Sequence, residues 1–145
     1  MNQNFLDLGL EDVIVQAVDH LGFEKPSPVQ EKCIPIVLNE DTDLVALAQT
    51  GTGKTAAFGL PLIQKVDNNN RDTQALVLAP TRELCIQIAS DLNNYARFKK
   101  TNVVAVYGGA SIMDQARSLK RGAQVIVATP GRLQDMINRR LVNLS

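Results

Sequence analysis

Four short apolar runs stand out along the chain, and helical patterns separate them. The runs are LVALA (44–48), ALVLA (75–79), VVAVY (103–107) and VIVAT (125–129). Continuous runs of this kind are typical of parallel strands that are buried on both faces. Apolar residues recur with helical spacing near 10–21, 28–38, 53–65, 82–96 and 111–120, and again from about 131. The pattern predicts an α/β fold in which helices cover both faces of a parallel sheet.

Several helix starts carry their own signals. Ser27 is a good N-cap, Pro28 suits the first helical position, and Gln30 lies where a capping box takes Glu or Gln. Thr81 and Thr129 each follow a predicted strand and can cap the next helix. Ligands of an open parallel sheet bind at that edge, beyond the carboxyl ends of the strands.

Composition indicates one compact domain. The chain has 145 residues, of which 45% are hydrophobic, and no apolar run approaches the roughly 20 residues that span a membrane. The start of the chain does not resemble a signal peptide. Cys33 and Cys85 have no disulfide or metal-ligand spacing, so we expect two reduced thiols in a cytoplasmic protein. His20 is expected at a surface or a helix end, with no metal site.

Charge is divided unevenly along the chain, although the net charge is zero. Residues 1–96 carry six basic and thirteen acidic side chains, whereas residues 97–145 carry nine basic and two acidic ones. The second part could bind a polyanion, or its charges could belong to the ordinary exposed faces of helices. Charge alone does not separate these two interpretations.

The stretch AQTGTGKT (48–55) has the pattern of a phosphate-binding loop, except that Ala48 replaces the first glycine. A predicted strand precedes the loop and a predicted helix follows it, which is the required context. Gly51 and Gly53 would let backbone N–H groups surround phosphate oxygens at the helix N-terminus. Lys54 and Thr55 are the candidate catalytic residues, because Lys54 would reach the β and γ phosphates and the Thr55 hydroxyl would ligate Mg²⁺.

Hydrolysis of a bound nucleotide needs an acidic residue that the strand ends do not supply. In enzymes with such a loop, a second strand usually ends in Asp, which helps to hold Mg²⁺. The later apolar runs here are followed by Pro80, Gly108 and Pro130. The sequence therefore predicts a nucleotide site without the groups that would complete its chemistry.

Four blocks together resemble the front part of a DEAD-box RNA helicase, in particular the bacterial cold-shock type. They are GFEKPSPVQ (22–30) with Phe5 upstream, AQTGTGKT (48–55), PTREL (80–84) with Gln87, and GG (108–109) followed by TPGR (129–132). The resemblance implies a RecA-like fold of the P-loop NTPase class, with residues 1–34 as a Q-motif region and residues 35–145 as an ATP-binding domain incomplete at its C-terminus. It also implies ATP and Mg²⁺ as cofactors and a cytoplasmic location.

The resemblance assigns a nucleotide role to residues of the first half. Gln30 would hydrogen-bond the adenine edge, and Phe5 and Phe23 would pack around the base. From the residues alone Gln30 is better explained by the capping box, and both roles can hold. The full set of implied nucleotide-binding residues is Phe5, Phe23, Lys25, Gln30, Ala48, Gln49, Thr50, Gly51, Thr52, Gly53, Lys54, Thr55 and Ala56.

RNA is the second implied ligand, held as a single strand through its backbone and without sequence preference. The implied contacts are Thr81, Arg82, Gly108, Gly109, Thr129 and Arg132. Helix N-termini and backbone amides bind phosphates whatever the base sequence, which agrees with this assignment. Glu83 would complement its helix dipole or orient an arginine such as Arg132. Association with the ribosome or with RNA-degradation machinery is a further expectation, and no membrane partner is expected.

Later blocks of the family, including the Asp-Glu-Ala-Asp strand end and a second RecA-like domain, do not occur in these 145 residues. We therefore expect a fragment that binds nucleotide weakly and does not hydrolyse it, from a helicase that separates short duplexes locally. The alternative is a naturally short RNA-binding module with a vestigial nucleotide pocket. A GTPase is disfavoured because no Asn-Lys-x-Asp stretch occurs, and DHLG (19–22) precedes the phosphate loop.

Overall fold

The computed structural model describes residues 1–49, 51 and 53–145. The helices are α1 (Gln3–Leu6), α2 (Asp12–His20), α3 (Pro28–Asn39), α4 (Lys54–Lys65), α5 (Arg82–Tyr95), α6 (Ile112–Lys120) and α7 (Pro130–Asn138). The strands are β1 (Ala75–Leu78), β2 (Val103–Val106) and β3 (Val125–Ala128). The chain divides into two compact units. The first unit is Met1–Lys65 with Asn94–Lys100, and the second unit is Val66–Asn93 with Thr101–Ser145.

The second unit holds a parallel sheet with the strand order β1-β3-β2. In its register, Ala75 of β1 and Val103 of β2 both lie opposite Val125 of β3. Every residue of β3 is buried, as a central strand covered on both faces requires. The α/β class and three of the four predicted strands are thereby confirmed.

One face of β3 carries an apolar cluster. Ile126 and Ala128 point to this face and pack with Leu133 and Met136 of α7. Partly buried apolar side chains of α6, among them Ala116 and Leu119, close the cluster. Helices α6 and α7 therefore lie over the sheet, and their starts and ends fall near opposite edges of it.

The first unit is helical, and α3 packs against α4. Its core contains Phe5, Ile14, Val18, Ile34 and Leu60, all fully buried. Two lysines support helix ends in this unit. The Lys99 ammonium donates to the carbonyls of Ile63 and Gln64 in the last turn of α4, at 2.8 and 2.7 Å, and the Lys65 ammonium donates to Val37 O at 3.0 Å. Cations at these positions offset the partial negative charge of a helix C-terminus.

The prediction of a buried strand at residues 44–48 is wrong. This segment has no strand structure, and the side chains of Val45 and Leu47 are 86% and 95% exposed. A strand exists only where a neighbour pairs with its backbone, and the described part of the first unit contains no other strand. An apolar run predicts burial, but a strand also needs a neighbouring strand to pair with, and the run does not supply one.

The helix-start signals were mostly correct. Ser27 and Gln30 form a complete capping box with Pro28 at the start of α3. The Thr81 hydroxyl accepts from the N–H of Leu84 at 3.2 Å, which caps α5. Thr129 occupies the N-cap position of α7, but its side chain makes no capping hydrogen bond, so that part of the prediction is wrong. Pro130 supplies no N–H, and its fixed φ by itself favours the helix start.

Candidate functional site

The phosphate loop lies in the first unit and leads directly into α4. Gly51 and Gly53 have φ values of +79° and +85°, a region that residues with a side chain rarely adopt. Helix α4 begins at Lys54, which is exposed, and Thr55 is half-buried in its first turn. The N-terminal amides of α4 and the Lys54 ammonium can therefore face an anion together. Thr50 and Thr52 lie outside the described residues.

Gln30 links α3 to this loop. Its Oε1 accepts from the N–H of Ser27 at 3.0 Å, and the Ser27 hydroxyl accepts from the N–H of Gln30 at 3.4 Å. The Gln30 Nε2 donates to the carbonyl of Gly53 at 3.2 Å. The side chain is 6% exposed. The capping role is thus confirmed, and the same amide also reaches the backbone of the phosphate loop.

The contact also explains why position 53 is a glycine. A Cβ at this position would collide with the amide nitrogen of Gln30 and would lie 3.1 Å from the Ser27 hydroxyl. The start of α3 therefore rests against the loop at the point where the loop becomes α4. A hydrogen bond between positions 23 residues apart is not visible in a sequence pattern.

Phe5 and Phe23 form an aromatic pair, with ring centroids 6.2 Å apart and planes tilted by 40°. Phe5 is fully buried, whereas Phe23 is half-buried. Helix α2 ends in a Schellman motif at Gly22 (φ +81°), in which the N–H of Phe23 donates to Val18 O at 3.2 Å. This motif positions Phe23, so Phe23 can offer a ring face while Phe5 supports it from the core.

Asn2 also positions this region, and the sequence patterns did not single it out. Its side-chain oxygen accepts from the N–H of Asn4 and caps α1, which carries Phe5. Its Nδ2 donates to the carbonyls of Phe23 and Glu24, at 3.3 and 2.6 Å. An Asn before a helix is a common N-cap, and that preference was the only available signal.

The other implied nucleotide residues have varied environments. Lys25 and Gln49 are exposed, Ala48 is half-buried, and Ala56 is buried in the first turn of α4. No cluster of three potential metal-ligating side chains occurs in the part of the chain that is described. The role of Thr55 as a ligand of nucleotide-bound Mg²⁺ stays a prediction.

In the second unit, the implied RNA residues gather at the carboxyl edge of the sheet. Past the strand ends, the N–H of Ala79 donates to Ala128 O and the N–H of Thr129 donates to Val106 O, both at 2.9 Å. These bonds hold the three outgoing segments together. Thr81, Gly108, Gly109 and Thr129 follow at this edge, where ligands of parallel sheets bind.

Arg82 lies against the loop that follows β2. Its guanidinium carbon is 5.4 Å from the centroid of the Tyr107 ring, which is cation–π distance. Gly109 has a φ of +82°, and a Cβ there would lie 2.8 Å from Arg82 Nη1. The absence of a side chain at Gly109 therefore lets the Arg82 guanidinium lie close to the backbone of this loop. Tyr107 was not predicted as a site residue.

Arg132 is also bonded to this region. Its Nη1 donates to Ala110 O at 3.1 Å and to Gln115 Oε1 at 2.9 Å. Gln115 is 8% exposed, and its Nε2 donates to Tyr107 O at 3.0 Å. Gln115 therefore connects Arg132 to the end of β2. A glutamine in an amphipathic helix is ordinarily expected on the solvent side, which is why sequence reasoning missed it.

Glu83 lies in the first turn of α5, where an acid complements the helix dipole as expected. The alternative, that Glu83 orients an arginine such as Arg132, is wrong, because no ion pair joins Glu83 to an arginine among the described residues.

Beneath the edge, the Cys85 thiol donates to Val127 O at 3.2 Å, and burial raises the pKa of this thiol. Cys85 therefore stays protonated at neutral pH, as does an inert core thiol. Both cysteines are free and buried, and His20 ends α2 in an exposed position.

Comparison with known proteins identifies the family. Residues 27–145 match the DEAD/DEAH box helicase family. The chain belongs to this family. It is 52% identical over 140 residues to the ATP-dependent RNA helicase CshA of Listeria monocytogenes, with 97% of this chain and 27% of the relative covered. The chain spans about a quarter of the length of the curated relatives it matches.

Solved DEAD-box structures share the fold. The DEAD box protein of Methanococcus jannaschii is 45% identical with a TM-score of 0.91, over 97% of this chain and 38% of that one. Dbp5 of S. cerevisiae, solved bound to RNA and ADP BeF3, is 33% identical with a TM-score of 0.86, over 98% and 36% of the two chains. The RecA-like fold and the resemblance to the bacterial cold-shock helicases are thereby confirmed.

The motif residues of this DEAD-box chain form two clusters. The first unit brings Gln30 and Gly53 into contact and packs Phe5 on Phe23. The second unit places Arg82 and Arg132 on the loop after β2. No helix in the described part of the chain is both long and apolar enough to cross a membrane.

Proposed function

We propose that the chain supplies ATP- and RNA-binding surfaces to an ATP-dependent RNA helicase that separates short duplexes locally. The contact between Gln30 and Gly53 carries this proposal. It connects the residue expected to recognise the base with the loop expected to hold the phosphates. A structural capping box alone has no need of that second bond.

In the nucleotide role, each group of the first unit has a separate task. The N-terminal amides of α4 and the Lys54 ammonium bind phosphate oxygens. Thr55 would hold a nucleotide-bound Mg²⁺, which would supply charge neutralisation at the phosphates. Gln30 offers one acceptor and two donor N–H groups, which match the amino group and ring nitrogen at the adenine edge. Phe23 covers the base, with Phe5 behind it.

In the RNA role, the carboxyl edge of the second unit binds the sugar–phosphate backbone. The Nη1 of Arg132 donates to Ala110 O and Gln115 Oε1, and the described residues offer no acceptor to its Nη2 and Nε. Those N–H groups and the Arg82 guanidinium can meet phosphates, while Gly108 and Gly109 allow the backbone to approach closely. Such contacts do not read the base sequence.

We further propose that this chain alone binds ATP weakly and hydrolyses little or none of it. The three strand ends continue into Ala79, Tyr107 and Thr129, none of which is an acid. The groups that activate water and complete the Mg²⁺ shell would then have to come from elsewhere in a longer protein. A cytoplasmic location and association with the ribosome or RNA-degradation machinery belong to the same proposal.

Replacement of Gln30 by Glu tests the nucleotide role. Glu still accepts from the N–H of Ser27, so the capping box persists, but the donor to Gly53 and to adenine is lost. We expect weaker ATP binding by isothermal titration, with the overall helix content and the melting temperature unchanged by circular dichroism. Gln64→Glu is the matched control, because Gln64 also bridges two backbone groups, Glu11 N and Gly9 O. It lies near the other end of α4 and should leave ATP affinity unchanged.

Two outcomes would contradict the proposal. Equal ATP affinities of Gln30→Glu and the parent chain would leave Gln30 with a capping role only. Displacement of labelled ATP by GTP at the same concentration as by unlabelled ATP would show that the pocket does not recognise adenine. Robust RNA-stimulated ATP turnover by the chain alone would refute the separate statement about the missing groups.

A further inference from the structure

The Asn2 side chain connects the two chain segments that carry the aromatic pair of the first unit. Its Oδ1 accepts from the N–H of Asn4 at 3.1 Å and caps α1, the single helical turn that carries Phe5. Its Nδ2 donates to the carbonyls of Phe23 and Glu24, at 3.3 and 2.6 Å. One amide therefore holds the segment of Phe5 and the segment of Phe23 together.

The nitrogen end of this side chain is not needed for capping. A cap requires only the oxygen, which Ser, Thr and Asp also supply. The amide differs from them because it carries two N–H donors. In Asn2 this nitrogen is directed at two consecutive carbonyls, 21 and 22 positions further along the chain. The donors therefore serve the Phe23 segment and not α1.

The segment that follows α2 has no regular backbone structure to hold it. From Phe23 to Ser27 the chain forms neither helix nor strand. At the near end of this segment, Asn2 bonds the carbonyls of Phe23 and Glu24. At the far end, the N–H of Ser27 donates to Gln30 Oε1 at 3.0 Å. Two side-chain amides thus hold the two ends of the short stretch that separates the Phe23 ring from the Gln30 capping box.

Phe23 is the member of the aromatic pair that a base could reach. Phe5 is fully buried, whereas Phe23 is half-buried. The ring centroids are 6.2 Å apart and the ring planes are tilted by 40°. Stacking of a further ring depends on the position and tilt of the ring beneath it. The placement of Phe23 relative to Phe5 is therefore a condition for stacking, and the bonds of Asn2 act on both residues' backbones.

We infer that Asn2 is a positioning residue for base binding, which holds the Phe23 ring against Phe5 in an orientation that stacks on a nucleobase. This role presupposes the nucleotide role proposed above. Asn2 does not itself contact the nucleotide but acts through Phe23. A ring that is held in place before binding costs less ordering when the base arrives, so the affinity rises. The phosphate-binding amides of α4 belong to a different segment, and their contacts should not depend on Asn2.

Isothermal titration with ATP, GTP and inorganic tripolyphosphate, each with Mg²⁺, separates the base from the phosphates. Asn2→Ser keeps an oxygen that can cap α1 but removes the donors to the Phe23 segment. We expect it to weaken ATP and GTP alike, by about threefold or more, because stacking does not distinguish the bases. Tripolyphosphate should bind to the variant and to the parent chain with equal affinity.

Two further variants keep a lost helix cap from explaining the result. Asn2→Asp places a carboxylate at the N-cap, which stabilises α1, but it has no N–H for Phe23 O or Glu24 O. It should weaken ATP at least as much as Asn2→Ser does. Gln3→Ala is the matched control, because it removes an exposed bond from the next residue, Gln3 Nε2 to Asp7 Oδ1 at 2.8 Å, and leaves the bonds of Asn2 intact. It should leave all three affinities unchanged.

A double variant tests whether Asn2 acts through Phe23. Phe23→Ala should weaken ATP by about tenfold, and the addition of Asn2→Ser should cause no further loss, since both changes act on one contact. Additive losses would overturn the inference. Equal weakening of ATP and tripolyphosphate in Asn2→Ser would also overturn it, because Asn2 would then support the fold in general and not the base.

The same affinities distinguish a failure of this role from a failure of the proposed function. Unchanged ATP affinity in Asn2→Ser, together with weaker ATP binding in Gln30→Glu, would overturn the role of Asn2 and leave the nucleotide role intact. If the parent chain bound ATP no more tightly than tripolyphosphate, no base would be bound, and both would be overturned.

Discussion

Replacement of Gln115 by Leu should both destabilise the second unit and weaken RNA binding through Arg132. Leu fills nearly the same volume but removes the donor to Tyr107 O and the acceptor for Arg132 Nη1. The first bond is neutral and contributes about 0.5–1.5 kcal/mol, and a bond to a charged group contributes about 1.5–3 kcal/mol when buried. Arg132 is half-buried, so water replaces part of the second bond.

The expected loss in the free energy of unfolding is therefore about 1–3 kcal/mol. With a urea m-value of about 2 kcal/mol per molar, the midpoint falls by roughly 1 M, which circular dichroism can measure. Gln134→Leu is the matched control. Gln134 also makes a side-chain hydrogen bond, since its Nε2 donates to Asn138 Oδ1 at 3.0 Å, but it lies on an exposed face of α7. Replacing it should lower the free energy of unfolding by less than about 0.5 kcal/mol.

RNA binding distinguishes a positioning role from a purely structural one. Without Gln115 the Arg132 guanidinium loses its orientation, so Gln115→Leu should reproduce part of the affinity loss of Arg132→Ala. The double variant should bind RNA no more weakly than Arg132→Ala alone, since both changes act on one contact. Arg132→Ala should also lower the slope of log affinity against log salt by about 0.7, the value for one phosphate on a single strand, and Gln115→Leu should lower it by less. Additive losses, or a loss confined to one RNA sequence, would refute this reasoning.

Three further variants test other features of the structure. Gly53→Ala should lower the free energy of unfolding in urea by about 1–2 kcal/mol, because φ is +85° and the added methyl group would collide with the Gln30 amide. At Gly108 an added methyl group has no neighbour within 4 Å, so Gly108→Ala should lower it by less than about 0.5 kcal/mol. Equal losses in the two variants would contradict the assigned contact. Leu47→Lys should change stability by less than about 0.5 kcal/mol, because Leu47 is 95% exposed, and a loss above about 2 would mean that this segment is buried. Burial raises the pKa of Asp91, and the bond from Gln87 only partly opposes this rise. Folded Asp91 therefore holds its proton more tightly than unfolded Asp91, so its contribution to stability falls as pH rises through the raised pKa. Asp91→Asn should then be more stable than the parent at pH 7 and equal to it well below about pH 4, where both forms are neutral; a difference independent of pH would refute this.

The elements that the sequence predicted well are those with local causes. Ser27 and Thr81 determine helix starts through bonds that reach only three residues along the chain, and Pro28 does so through its fixed φ. The apolar run at 44–48 failed because strand formation depends on a neighbour elsewhere in the chain, and apolar character by itself predicts burial only.

The candidate sites were predictable as motifs but not as networks. The phosphate loop was recognised from its glycines and its lysine, and the helix after it begins at Lys54 as expected. The bond from Gln30 to Gly53 and the bridge by Gln115 join residues 8 to 23 positions apart through folding of the chain. No periodicity or spacing rule contains that information.

The bonds of Gln30 have a consequence for how sharply the pocket can choose its base. Both ends of the amide are already bonded in this structure, Oε1 to Ser27 and Nε2 to Gly53. The amide has a second N–H and a second lone pair, so an adenine can bond to it while both existing bonds persist, and a guanine would leave the existing bonds in place. A binding site rejects a wrong ligand strongly, by about 10⁴-fold or more, where that ligand leaves a buried polar group without a partner. With guanine both ends of the Gln30 amide keep a partner, so discrimination should be the small gain from the added bonds, about 1 kcal/mol or roughly fivefold. Gln30 would then bias the pocket toward adenine instead of excluding other bases.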